Sequence, residues 1–127
     1  GCIGFSPLAQ GLLSSKYLAG VPEGARVTRA PSLPQRMLSE DNLARIRALN
    51  EIAAKRGQTL AQMAIAWLLD QEGVIVIPKA ARPESQKSNL DALGIRLDDE
   101  DRATIAALPK DQRFVRPPFA PYWNAAA

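Results

Sequence analysis

Apolar positions change their period several times along the chain, and each change marks an element. The apolar run Cys2 to Phe5, ending at Ser6-Pro7, predicts a short strand over residues 2–6. Residues 7–38 have no sustained period. Within them Gly11 to Leu18 suits a short helical turn, and Val21 to Pro34 carries three prolines, Gly24 and several cations, the composition of a long loop with a functional or mobile role. Leu43, Ile46, Leu49, Ile52 and Ala53 then recur at helical spacing behind the N-cap Ser39. They predict a helix over 39–56 that Gly57 stops. Thr59 and Gln62 form a capping box for a second helix over 59–70. Its stripe of Leu60, Met63, Ala64, Trp67 and Leu68 is widened by Ile65 and Leu69, with Met63 and Trp67 read as core.

Gly73 leads into Val74-Ile75-Val76-Ile77, four β-branched residues that predict a strand over 74–77 buried on both faces and ended by Pro78. Two more helices follow, over 83–93, closed by Gly94, and over 98–108, capped by Asp98. Asp99, Glu100 and Asp101 in the first turn of the last helix read as surface residues that complement its dipole. Residues 109–127 read as an irregular tail rich in proline and aromatic side chains, ordered only by lying on its own domain or along a pocket. Strands separated by helices imply a parallel pair made by a crossover. That is an α/β arrangement, the unit of (β/α)8 barrels, in one partial domain spanning 1–127.

Composition narrows what such a domain can do. At 127 residues, 46% hydrophobic and 23% charged, the chain is long enough and apolar enough to bury a core. The net charge of +3 comes from 16 basic residues interleaved with 13 acidic ones, which is no nucleic-acid footprint. No apolar run reaches membrane-spanning length and no leader precedes the first strand, so the expected location is the cytoplasm. A lone Cys2 agrees with a reducing compartment and reads as a small buried apolar residue. The sequence contains no histidine. That removes Ser-His-Asp and Cys-His nucleophilic pairs, imidazole acid and base chemistry and nearly all catalytic zinc sites, so no metal site is expected. Any chemistry has to be borrowed from a cofactor or a partner.

Gly73 to Asn89 is the stretch best placed to hold such a group. A strand empties into a loop carrying Lys79 and Arg82, and Pro83 suits the first turn of the helix that follows. Two cations beside a helix N-terminus suit an anion, although the same residues equally suit a solvated βα loop.

The run Phe5-Ser6-Pro7-Leu8-Ala9-Gln10-Gly11-Leu12-Leu13-Ser14-Ser15-Lys16-Tyr17 resembles the seventh strand and following loop of the aldo-keto reductases, (β/α)8 barrels that use NADPH. Gly73 to Asn89 is similar to their eighth strand and the helix after it. The resemblance covers the whole chain, but only the C-terminal two-fifths or so of a complete member. Residues 1 to about 70, including Gly57 to Ala64, are similar to the branch of glyceraldehyde-phosphate-type reductases and potassium-channel β subunits. From Ile77-Pro78-Lys79 to the Pro118-Phe119-Ala120-Pro121-Tyr122-Trp123 tail, the sequence is more similar to the diketogluconate reductase branch.

By position, the resemblance implies that Phe5 stacks on a nicotinamide, and that Ser6, Leu8, Gln10 and Gly11 wrap the pyrophosphate. It further implies that Lys16 and Arg26 clamp phosphates from the long loop, that Lys79 and Arg82 bind the adenosine 2′-phosphate, and that Asn89 faces the adenine. The family usually has Ser or Thr at Ala80, Arg or Gln at Ser85 and Glu at Ser88. Each loss removes a contact of about 1 kcal/mol, so weak NADPH binding is expected. The family's catalytic aspartate, tyrosine, lysine and histidine have no counterpart in this sequence. The expectation is a truncated reductase-like chain, inactive by itself, with no catalytic residue assigned.

Two strands make a poor sheet, since each normally needs neighbours on both sides. Self-association is therefore expected, possibly as a tetramer that pools eight strands, with no nucleic acid or membrane partner. A non-catalytic self-associating module with a relic cofactor site is the alternative. A third reading recruits Tyr17 or Lys16 to a new site in an oligomeric cleft.

Overall fold

The computed structural model describes residues 1–23 and 35–109. Strand β1 (Cys2–Phe5) is followed by short 3-10 turns at Ala9–Gly11, Ser15–Tyr17 and Gln35–Leu38. Helices α1 (Glu40–Lys55) and α2 (Leu60–Leu69) lead to strand β2 (Val74–Ile77). Helix α3 (Pro83–Asp91), a 3-10 turn at Ala92–Gly94 and helix α4 (Asp99–Ala107) complete the order. Among the described residues there are thus two strands and four α-helices. The strands pair in parallel from Cys2↔Val74 to Phe5↔Ile77, and α1 and α2 together form the crossover between them.

Local chemistry sets the helix ends. The Ser39 hydroxyl accepts the Asn42 N–H at 3.4 Å to start α1. At its other end Gly57 takes φ +66°, the Gly57 N–H reaches the Ala54 carbonyl and the Gln58 N–H the Ala53 carbonyl, both at 3.0 Å. Those paired bonds close the helix as a Schellman motif. In α2 the Gln62 N–H donates to Thr59 Oγ1 at 3.2 Å while the Thr59 N–H donates to Gln62 Oε1 at 3.1 Å. A second reciprocal box, Asp98 with Asp101, starts α4.

The core lies between the 3-10 turns, α1 and α2. Leu12, Tyr17, Leu43, Ile46, Leu60 and Met63 form its centre, and Leu97 closes it from the segment before α4. Tyr17 is 1% exposed. Cation–carboxylate pairs fix α4 to the rest. Arg56 donates to Asp98 at 2.8 Å, to Asp101 at 2.5 Å and to the Arg96 carbonyl, while Arg102 grips both Asp70 oxygens at 2.8 and 2.9 Å. The Arg102 hydrogen bond holds the Asp70 carboxyl below its ordinary range. The backbone N–H of Asp101, then Arg56, does the same for Asp98.

Several expectations change. The strand over 74–77 is not buried on both faces: Val74 and Val76 are half-buried where α2 packs on β2, but Ile75 and Ile77 are 57% and 58% exposed. No described residue covers their side of the sheet. Cys2 is exposed for the same reason, since β1 has a neighbour on one edge only. Trp67 is 39% exposed, because the cover over Met63 does not extend to the indole one turn further on. Asp101 does more than complement a dipole, with its side chain only 13% exposed beside Arg56. The α-helical part of the third helix ends at Asp91, where the chain tightens into the 3-10 turn. The expectations for Arg26, the loop around it and the tail from residue 110, including Trp123, lie outside the described residues. No described helix is long and apolar enough to cross a membrane.

Candidate functional site

Beyond β2 the chain runs through Pro78-Lys79-Ala80-Ala81 into Arg82, the N-cap of α3. Arg82 is extended (φ −96°, ψ 139°), as a residue before proline prefers to be. Its side chain makes no cap. Pro83 at the first position has no N–H to satisfy, and the Glu84 and Ser85 N–H groups lie in the first turn, where no helical carbonyl reaches them. The Gln86 side chain ties the loop back by donating to the Ala80 carbonyl at 3.2 Å.

This loop forms one wall of a groove of about 660 Å³. Leu8 and Ser14, from the turns after β1, and Ala61, in the first turn of α2, complete it, with Ser85, Ser88 and Asn89 on the α3 side. Positions 85, 88 and 89 are three and four apart, so they share a helix face, and all three are half-buried. Lys79 and Arg82 are exposed and enter no ion pair among the described residues. Glu84 is the one acidic residue on the lining.

The turn after β1 is held by a backbone that few sequences favour. Ser6, Ala9 and Gln10 have φ of 50°, 47° and 59°, followed by Gly11 at 100°. Left-handed residues other than glycine cost on the order of 1 kcal/mol each or more, and they collect at sites where the surroundings impose them. Here the path is fixed by bonds from the Ala9 N–H to the Ser6 carbonyl and from the Gly11 N–H to the Leu8 carbonyl, both at 2.8 Å. Ser14 Oγ adds a bond of 2.6 Å to the Gly11 carbonyl.

Of the residues singled out in the sequence, the groove brings together Leu8, Lys79, Arg82 and Asn89. Phe5, Ser6, Gln10, Gly11 and Lys16 are not on its lining. Phe5 is 69% exposed on the bare side of the sheet, and the Lys16 ammonium sits 5.4 Å from the Tyr17 ring centroid. Sequence reasoning missed Ser14, Ala61 and Glu84. Ser14 had a local signal, as its hydroxyl accepts the Lys16 N–H at 3.4 Å and caps the second 3-10 turn. Ala61 had none, because tertiary packing alone puts the start of α2 at the groove. No group of acids or cysteine among the described residues could hold a metal ion.

Two free cations, uncapped first-turn N–H groups and hydroxyls along one wall suit an anionic group attached to a larger polar body. The profile of the Aldo/keto reductase family matches residues 1–110. The chain belongs to that family. It is 50% identical over 98 residues to an L-glyceraldehyde 3-phosphate reductase of Escherichia coli O157:H7, covering 73% of this chain and 28% of that protein. It is 45% identical over 74 residues to methylglyoxal reductase DkgB of the same organism, covering 58% of this chain and 27% of the relative. Among solved structures, a thermostable aldo-keto reductase, Tm1743, crystallised with the inhibitor epalrestat, superposes with a TM-score of 0.53 and 30% identity. That match covers 82% of this chain and 28% of the other. The chain therefore spans less than a third of these relatives' length, and its fold is part of an aldo/keto reductase barrel.

Proposed function

We propose that the groove between the β2–α3 loop and the turn after β1 binds the phosphate-bearing adenosine end of NADPH, as part of a reductase acting on carbonyl compounds. The observation that carries this reading is the convergence of the unpaired Lys79 and Arg82 with the α3 N-terminus and Asn89 on one groove. The residues fit the group. Two fixed cations favour a 2′-phosphate over a bare ribose hydroxyl, the half-buried Asn89 offers an amide to the adenine, and Phe5 presents an open ring face on which a nicotinamide can stack. Ala80 contributes no hydroxyl, and Glu84 adds negative charge to the lining, so affinity is modest.

When bound, the cofactor supplies hydride to a carbonyl carbon. The described residues hold and select it, and none is assigned as proton donor. Tyr17 is unsuited to that role because its side chain is sealed in the core.

Fluorescence titration of the chain with NADPH and NADH tests the reading. Saturable binding is expected, tighter for NADPH. Lys79→Ala and Arg82→Ala should each weaken NADPH about tenfold or more and leave NADH nearly unchanged. Absence of saturable NADPH binding would overturn the reading and favour a non-catalytic module, the second reading that the exposed sheet face supports.

A further inference from the structure

The sheet leaves one of its faces bare. Side chains alternate along a strand, and Ile3, Phe5, Ile75 and Ile77 fall on the side away from α2, adjacent across the ladder as Ile3 with Ile75 and Phe5 with Ile77. Each of the four is more than half exposed, and neither strand contains a charged residue. The edges are open as well, since the sheet consists of β1 and β2 alone among the described residues. The Cys2 N–H donates to the Gly73 carbonyl at 2.8 Å. In a parallel ladder Cys2 and Gly4 therefore aim their backbone groups at β2, while Ile3 and Phe5 aim theirs outward, and on the other strand Val76 does the same.

We propose that a second copy of this chain supplies the missing neighbour, the β1 edge of one copy pairing in parallel with the β2 edge of the next, and that four copies close an eight-stranded ring around the bare faces. The open β2 edge needs a short, uncharged strand of the same direction and alternation, and β1 is such a strand. Because the two edges differ and lie on opposite sides, the contact is head-to-tail, and repeated addition has to close at a fixed number. Eight strands is the number at which side chains just fill a barrel interior. At two strands per chain, that number is reached with four copies.

A face-to-face pair is the weaker arrangement. The four side chains expose on the order of 500 Å², below the roughly 800 Å² per partner of a stable complex, and stacking them would leave both edges unpaired. The ring buries the same side chains and satisfies the edges together.

The test is the mass of the 127-residue chain in solution, by light scattering and sedimentation across the micromolar range. The expected mass is four times 13.7 kDa. Ile75→Lys puts a charge inside the ring, and Ile3→Pro removes an outward N–H while leaving the β1–β2 ladder intact. Each should reduce the mass to that of one chain with the helical circular dichroism retained. A nitroxide on the exposed Cys2, the only cysteine in the sequence, should report two inter-label distances, adjacent and diagonal. A single-chain mass at every concentration would overturn the proposal, whether the face stays bare or residues 110–127 cover it. A two-copy mass with one label distance, or a larger mass that Ile3→Pro leaves unchanged, would do the same.

Discussion

The helical layer and the strand layer of this chain are built from equally apolar sequence, yet one is finished and the other is not. Leu60, Met63 and Tyr17 are at most 2% exposed, whereas Ile3, Phe5, Ile75 and Ile77 are each above half. The difference lies in what each layer needs. Helices α1 and α2 satisfy their backbones internally, are joined by a short linker, and bury a stripe against each other and the preceding turns. A strand needs two neighbours and two covers, and here each strand has one of each. An apolar pattern states that a side chain is to be buried. It does not state that the burying partner lies nearby.

The largest expected effect breaks the finished layer. Leu60→Ala should lower stability by about 2–5 kcal/mol through the cavity it leaves, while Ile75→Ala, measured at dilutions where copies do not associate, should stay within about 0.5 kcal/mol. Urea unfolding of both variants checks the contrast, and equal losses would refute it. Arg56→Met falls between them, at about 1–2 kcal/mol, because Asp101 is left nearly enclosed without its cation. Function should separate from stability at the strand ends. Ala80→Ser restores a hydroxyl beside Lys79 and should tighten NADPH several-fold with the melting temperature unchanged, which parallel titration and thermal melts decide.

The smallest effect is electrostatic. The carboxyls of Asp70 and Asp98 are held below their ordinary value of 3.8 in the folded chain. Their contribution is therefore complete above the unfolded-state value and is lost as the pH falls through the lower folded values. Solvent screens both groups, so the loss should be slight. Melting temperatures at about pH 6 and about pH 3 should differ less in Asp70→Asn than in the parent chain.

Elements with local causes were legible in the sequence. Ser39, Gly57, the Thr59–Gln62 box, Asp98 and the β-branched run ending at Pro78 each act on atoms a few residues away, and each sits at an element boundary. What depended on distant neighbours was not legible. Trp67 and Cys2 look like core until the missing cover is seen, and Asp101 looks like one of three surface acids until Arg56 arrives from 45 positions upstream. Part of the groove could be read because Lys79, Arg82 and Asn89 belong to one loop and the helix it opens. The left-handed path through Ser6, Ala9 and Gln10 could not, as no glycine announced it before Gly11.

The pairing of Cys2 with Val74 also sets an order of events during synthesis. At about 5–20 residues per second, β1 leaves the ribosome several seconds before β2 exists. For that interval an uncharged strand waits unpaired, while α1 and α2, whose contacts are close in sequence, can already form a hairpin of helices. Pairing is thus the last step and the one most exposed to wrong partners. Pulse-labelled hydrogen exchange during refolding should find the Leu60 to Leu69 amides protected before that of Ile75.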